Sequence, residues 1–108
     1  MKWRRPNKLI LKKGSIVKIL NTIKENDYFV NFRQTKRHES FSCLVVDEME
    51  WAGGDSLTIG DIDIHDNIIN ICLEESCYTW RLGMFDLPEN VDIYVEIDGK
   101  EIFVPRDS

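Results

Sequence analysis

The chain has 108 residues, of which 43% are hydrophobic and 31% are charged. This length suits one domain that buries roughly two thirds of the surface of its unfolded chain, and it leaves no room for a second domain. No apolar run approaches the roughly 20 residues that cross a membrane, and the basic N-terminus lacks the apolar stretch of a signal peptide. We therefore expect a cytoplasmic protein with no membrane partner.

The net charge of −5 is divided unevenly along the chain. Residues 1–37 carry +9, whereas residues 38–108 carry −14. Such an asymmetry restricts the partners of a protein more than it restricts the fold. Two interpretations stay open at this point: the basic part covers and neutralises the acidic part, or each part binds something else.

The chain has three cysteines, Cys43, Cys72 and Cys77, and no two of them form a CxxC motif. An odd number of cysteines is typical of free thiols in a reducing compartment. Cys43 and Cys72 lie in apolar runs, which predicts that both are core thiols. We expect no disulfide framework, no metal site and no cofactor.

The first half of the chain predicts an arm, three strands and an exposed loop. Residues 1–13 are rich in Lys and Arg and indicate a basic arm. The polar loop 34–40 is expected to be an exposed tip. Runs of β-branched and aromatic residues predict strands over 16–20, 28–32 and 41–46.

The second half predicts a short helical turn followed by a meander of strands. Residues 47–51 form the helical turn, and Gly60 marks a β-bulge because the apolar phase shifts across it. Residues 65–67 make a turn, after which Ile69, Ile71 and Leu73 form one inward face. A strand over 78–81 and a 3₁₀ turn at Met84–Asp86 then close the unit.

A β-hairpin is predicted over residues 91–105. Ile93, Val95 and Ile97 alternate with polar residues, and Asp98-Gly99 has the sequence of a type I′ turn. The strand Ile93–Ile97 could be an exposed edge that pairs with a second copy, so a homodimer is one expectation.

These elements predict one all-β domain: a small SH3-like barrel over 14–90, with the basic N-terminal arm and the added C-terminal hairpin. A core is expected from large apolar side chains on the central strands and the helical turn. Its predicted members are Trp51, Ile59, Ile69, Ile71, Trp80 and Phe85.

The central stretch, residues 49–86, resembles a family of small phage and prophage proteins with an SH3-like barrel. The shared motifs are Met49, Trp51 and Ala52-Gly53, then Thr58-Ile59, then Tyr78 and Trp80, then Met84-Phe85-Asp86. They are packing motifs, so the resemblance implies a fold and a phage or mobile-element origin but no chemistry. The cytoplasm it implies is that of a bacterial host.

The acidic part suggests a non-enzymatic inhibitor of a host nucleic-acid-handling protein, of the anti-restriction or anti-CRISPR type. Spaced carboxylates imitate the phosphates of nucleic acid and dock on a basic groove. The alternative for each carboxylate is a solubilising role. The predicted partner-binding residues are Asp47, Glu48, Glu50, Asp55, Asp61, Asp63, Asp66, Glu74 and Glu75.

The basic part suggests an alternative function, a nucleic-acid-binding accessory protein. Cations grip a phosphate backbone, and an interleaved aromatic residue stacks on a base. The acidic remainder of the chain opposes this function because it repels nucleic acid. The predicted nucleic-acid-binding residues are Trp3, Arg4, Arg5, Lys8, Lys12, Lys13, Arg33, Lys36 and Arg37.

A third hypothesis is a small enzyme. Alternation along one strand places Asp61, Asp63 and His65 on the same face, which suits acid–base chemistry or a hard metal ion. A solvated strand face explains the same pattern, and we favour that interpretation. The glycines form neither a P-loop nor a dinucleotide fingerprint.

Overall fold

The computed structural model describes residues 7–108 and shows an all-β protein. One short helix, α1, spans Asp47–Trp51, and a 3₁₀ turn spans Leu82–Met84, two residues before its predicted position. The ten strands are β1 (Lys8–Leu11), β2 (Ile16–Lys18), β3 (Tyr28–Val30), β4 (Arg33–Thr35), β5 (Cys43–Leu44), β6 (Ser56–His65), β7 (Ile68–Leu73), β8 (Thr79–Trp80), β9 (Asp92–Ile97) and β10 (Lys100–Phe103).

The strands form three sheets, with the orders β2-β6-β7-β8, β4-β3-β5 and β1-β9-β10. All three orders are open, so within the described residues the sheets do not close into a barrel. Apart from α1 and the 3₁₀ turn, every regular element of the described residues is a strand, which confirms the predicted all-β class. No helix in residues 7–108 is long and apolar enough to cross a membrane.

In the four-stranded sheet β2-β6-β7-β8, which we call the central sheet, β6 and β7 form the longest antiparallel pair. The register shifts between Ile59 and Asp61, which confirms the bulge predicted at Gly60. Asp66 and Asn67 have φ of 50° and 65°, as a tight hairpin turn requires, and they lie where the turn was predicted. This hairpin presents alternate side chains to the core and to the outside.

The C-terminal hairpin confirms the predicted pairing but not the predicted edge. β9 and β10 are antiparallel around Asp98 and Gly99, whose φ values of 52° and 80° fit a type I′ turn. β9 is the middle strand of its sheet because β1 pairs with its other side in parallel. The prediction that Ile93–Ile97 is an exposed edge was therefore wrong.

The basic arm predicted over 1–13 falls in two parts. Residues 1–6 lie outside the described residues. Lys8–Leu11 form strand β1 instead of an arm, since Leu9 and Leu11 pair with Ile93 and Val95 and Leu11 is buried in the core.

The core contains five of the six predicted residues. Ile59, Ile69, Ile71, Trp80 and Phe85 are each less than 5% exposed. Trp51 is 71% exposed, so its prediction as a core residue was wrong. Met49 is the buried residue of α1, and a residue two positions further lies about 200° around a helix axis, which turns Trp51 to solvent.

The buried residue Asn31 ties two sheets together. Its Nδ2 donates to the Asn67 main-chain oxygen at 2.9 Å, and its Oδ1 accepts from the Ile69 nitrogen at 2.8 Å. Its main-chain oxygen accepts a 2.8 Å hydrogen bond from the nitrogen of Gly83. These contacts fix the β6–β7 hairpin against the β3–β4 turn and thereby position the outer face of the central sheet.

Candidate functional site

A polar groove of about 510 Å³ lies on the outer face of the central sheet. Strands β5, β6, β7 and β8 supply most of its walls, and Ser42 before β5 and Arg81 after β8 complete them. The groove is lined by Ser42, Cys43, Leu44, Asp61, Asp63, Asn70, Cys72, Thr79 and Arg81.

The register of the sheet arranges these side chains in two rows. Asp63 is paired with Asn70, and Arg81 Nε donates to Asn70 Oδ1 at 3.0 Å. In the neighbouring row Cys72 is paired with Asp61 on one side and with Thr79 on the other. Side chains paired across strands share a face and lie about 5 Å apart. The carboxylates of Asp61 and Asp63 on β6 therefore lie at one side of the groove, and the guanidinium of Arg81, which follows β8, lies at the other.

Arg81 is a buried cation that has no ion-pair partner within the described residues. Its side chain is held by Asn70 and by two main-chain oxygens, Phe29 at 3.3 Å and Phe41 at 2.6 Å. The residue is only 7% exposed, and burial lowers the pKa of its guanidinium. Nε and Nη1 make these bonds, which leaves Nη2 without a hydrogen-bond partner in residues 7–108.

Two thiols also line the groove. Cys43 is half-buried and its Sγ donates to the Thr79 main-chain oxygen at 3.3 Å. Burial raises the pKa of this thiol, and the charge of Arg81 opposes the effect. Cys72 is exposed, so its prediction as a core thiol was wrong. The inward alternation of Ile69, Ile71 and Leu73 places Cys72 on the outer face.

A second, smaller cleft of about 260 Å³ separates α1 from the β7–β8 turn. Three of the predicted carboxylates line it, together with the exposed thiol of Cys77. The neighbouring Glu48 carboxylate raises the pKa of the Tyr78 hydroxyl. The lining residues are Glu48, Ala52, Asp55, Leu57, Glu75, Ser76, Cys77, Tyr78 and Trp80.

Glu75 has a structural task in this cleft. Its carboxylate accepts hydrogen bonds from the Thr58 nitrogen at 2.8 Å and from the Thr58 hydroxyl at 3.0 Å. The main-chain hydrogen bond is the larger cause of the lowered pKa of Glu75. The carboxylate thus anchors the β7–β8 turn to β6.

The nine predicted partner-binding carboxylates are divided between several places. Asp61 and Asp63 line the groove, and Glu48, Asp55 and Glu75 line the cleft. The remaining four border neither of these two pockets. They are Asp47 and Glu50 on α1, Glu74 after β7, and Asp66 at the hairpin tip.

The trio of the enzyme hypothesis is only partly brought together. Asp61 and Asp63 share the groove, but His65 is not among its lining residues. The His65 side chain is 78% exposed and lies 3.4 Å from the carboxylate of Asp66. Among residues 7–108, no group of three or more His, Cys, Asp or Glu side chains is arranged to hold a metal ion.

The predicted nucleic-acid-binding residues are similarly dispersed. Trp3, Arg4 and Arg5 lie outside the described residues. Lys8 pairs with Glu101 and lies over the ring of Tyr94, 4.4 Å from its centre. Lys12 and Lys13 line a depression with Asp61, Glu96 and Asp98, and Arg33 pairs with Glu39 at 3.0 Å. Lys36 and Arg37 are exposed.

Sequence reasoning missed Arg81 and Asn70, which form the donor half of the groove. One signal was present for Arg81, since it is the only cation between residues 38 and 99. Charged residues are mostly exposed, but the five donors of a guanidinium allow Arg to be buried where hydrogen-bond acceptors surround it. Asn70 carried no comparable signal.

Comparison with known proteins finds no family model, no curated protein and no solved structure that matches the chain. The fold and the site alone define its class: an all-β protein with a polar, carboxylate-lined groove on the outer face of its central sheet.

Proposed function

We propose that the protein is a non-enzymatic binding protein of phage or mobile-element type. It acts in the cytoplasm of a bacterial host, where it binds and inhibits a nucleic-acid-handling protein, as anti-restriction or anti-CRISPR proteins do. The contact is made by carboxylates that imitate nucleic acid. The function needs no cofactor and no membrane.

The observation that carries the proposal is that nearly all of the predicted carboxylates form no ion pair within the described residues. The ion pairs of residues 7–108 involve Glu101, Glu39 and Asp66. Eight of the nine predicted carboxylates therefore have no cation within 4 Å in the described part of the chain. Lys2, Arg4 and Arg5 precede that part, which leaves residues 7–108 with a net charge of −8. Such a surface attracts cationic grooves from a distance.

The finer fold assignment belongs to the same proposal. We propose that residues 14–90 are an SH3-like unit whose sheets do not close into a complete barrel, with β1 and the β9–β10 hairpin added to it. The antiparallel succession of β6, β7 and β8 and the 3₁₀ turn after β8 support this assignment. The additions enlarge the surface without covering the groove, since no residue of β9 or β10 lines it.

The test is affinity capture from a nuclease-treated bacterial lysate. The wild-type protein is expected to retain nucleic-acid-handling proteins, and added DNA is expected to release them. The double variant D61N/D63N should capture less. E89Q/D107N is the matched control, because it removes the same charge from two exposed residues outside the predicted set.

A mobility-shift assay separates this proposal from the nucleic-acid-binding alternative. The purified protein is expected not to retard DNA or RNA at low salt. Salt-sensitive retardation that disappears in R4E/R5E or in K36E/R37E would contradict the inhibitor proposal and favour direct binding of nucleic acid.

A further inference from the structure

The groove has a donor half and an acceptor half. Arg81 and Asn70 form the donor half, and Asn70 Oδ1 is already occupied by Arg81 Nε, so the amide nitrogen of Asn70 remains. Asp61 and Asp63 form the acceptor half and have no cation within 4 Å in residues 7–108. A ligand that satisfies both halves has a donor or cation at one end and an acceptor at the other.

The charges in the groove point to a single cation. Two carboxylates and one guanidinium give its walls a net charge of −1. The Arg81 side chain is too buried to rotate out of the groove, and its hydrogen bonds to the main-chain oxygens of Phe29 and Phe41 hold it in place. Its Nη2 has no partner in residues 7–108 and is itself accessible, since no buried side-chain nitrogen or oxygen there lacks a hydrogen bond. It is therefore a fixed donor at the groove that can bond an acceptor from a ligand.

We infer that the groove binds one arginine residue of a partner polypeptide, with the arginine guanidinium on Asp61 and Asp63 and its main-chain oxygen on Arg81. This inference rests on the proposed function and specifies where its contact lies. The arginine that a nucleic-acid-handling protein normally directs at a phosphate is the residue captured.

The geometry favours arginine over lysine. Asp61 and Asp63 are two residues apart on one strand face, so their carboxylates project about 7 Å apart. A guanidinium presents several donors in one plane and can contact two carboxylates at once, whereas an ammonium is a compact charge that is strongly hydrated. Leu44, 39% exposed at the groove wall, offers an apolar surface to the arginine methylenes.

A nucleic acid is the less suitable occupant. Its base edges also carry neighbouring donors and acceptors, but its phosphates would approach Asp61 and Asp63. A polypeptide brings the required cation without a phosphate. Guanosine, which has the base edge and no phosphate, therefore serves as the competing probe.

The test uses the full chain and Nα-acetylarginine methylamide, which is an arginine flanked by peptide bonds. Titration followed by amide nuclear magnetic resonance should shift the signals of Asp61, Asp63 and Cys72. Alkylation of Cys72 by iodoacetamide should slow, whereas that of Cys77, which lies in the other cleft, should not. Shifts centred on the Tyr78 cleft, an undisturbed groove, or stronger groove shifts with guanosine would overturn the inference.

Variants and ligand analogues test each half of the groove. D63N should weaken binding of the probe about tenfold, because it removes one charge-assisted contact. D107N, the same change at an exposed residue outside the predicted partner-binding set, should leave it unaltered. Butylguanidine, which has no carbonyl, and the lysine analogue should both bind more weakly. Equal binding of butylguanidine would remove the role given to Arg81, and equal binding of the lysine analogue would remove the choice of arginine.

The outcomes distinguish this site from the proposed function. If the lysate capture succeeds and is lost in D61N/D63N while the arginine probe leaves the groove undisturbed, the inference is wrong and the inhibitor proposal stands. If the probe binds the groove but no nucleic-acid-handling protein is captured, the arginine site stands and the inhibitor proposal is wrong.

Discussion

Arg81 Nη1 donates a hydrogen bond of 2.6 Å to the main-chain oxygen of Phe41. Phe41 has a φ of 67°, a conformation that is unusual for a bulky residue, and its side chain is 59% exposed. The buried guanidinium therefore holds a strained loop residue against the central sheet, two positions before β5 begins and next to Ser42 in the wall of the groove.

Substitution of Arg81 should destabilise the protein. R81M removes three hydrogen bonds and leaves the oxygens of Phe29 and Phe41 to find other partners. We expect a loss of about 2–4 kcal/mol in the free energy of unfolding, measured by urea denaturation. N70A removes only one of these bonds, and about 1 kcal/mol is expected. An unchanged midpoint for R81M would contradict the role assigned to this network.

Gly83 lies where no larger residue fits. A Cβ atom there would stand 2.6 Å from Phe29 Cδ1 and 2.6 Å from the main-chain oxygen of Phe32. G83A should therefore lower the free energy of unfolding by about 1–3 kcal/mol through overpacking. G60A is the control, because its nearest neighbour is the flexible Glu74 side chain at 3.1 Å. The close-packing argument fails if both variants melt at the same temperature.

Glu75 should contribute to the pH dependence of stability. The hydrogen bonds from Thr58 lower the pKa of its carboxyl in the folded state. The stabilisation is therefore present above the pKa of the unfolded chain and is lost as the pH falls through the lowered, folded-state value. Urea denaturation over a series of acidic pH values should show a smaller loss for E75Q than for the wild type. Parallel curves would show that the Thr58 contact does not couple to protonation.

The three thiols should differ in reactivity. Burial raises the pKa of Cys43, which lowers its thiolate fraction at neutral pH, whereas Cys72 and Cys77 are exposed. Iodoacetamide should modify Cys43 last, as followed by mass spectrometry of proteolytic fragments. A similar rate at all three positions in the folded protein would contradict the burial of Cys43.

Elements with local signals were predicted well. The bulge at Gly60 and the turn at Asp98-Gly99 depend on neighbouring residues, so their patterns are readable in the chain. The shared face of Asp61 and Asp63 follows from the two-residue period of a strand in the same way. The exposure of Trp51 was missed because an apolar residue in a one-turn helix has no periodic context that shows which way it points.

Elements that depend on distant partners were not predictable in this way. Lys8–Leu11 looked like an arm because their cations dominate the composition, yet Leu9 and Leu11 pair with β9 near the other end of the chain. That pairing also made β9 a middle strand and not an edge. Two parallel strands are not joined by a tight turn, so no local turn sequence indicates their pairing.

The sequence by itself determined the all-β class, the two hairpins, most of the core and the outward direction of Asp61 and Asp63, because alternation and turn chemistry are local properties of the chain. Only the tertiary structure decided that Asp63, Asn70 and Arg81 form one row and that Arg81 stays buried without an ion pair in the described residues. The reason is that strand register depends on how several strands bury their apolar faces together.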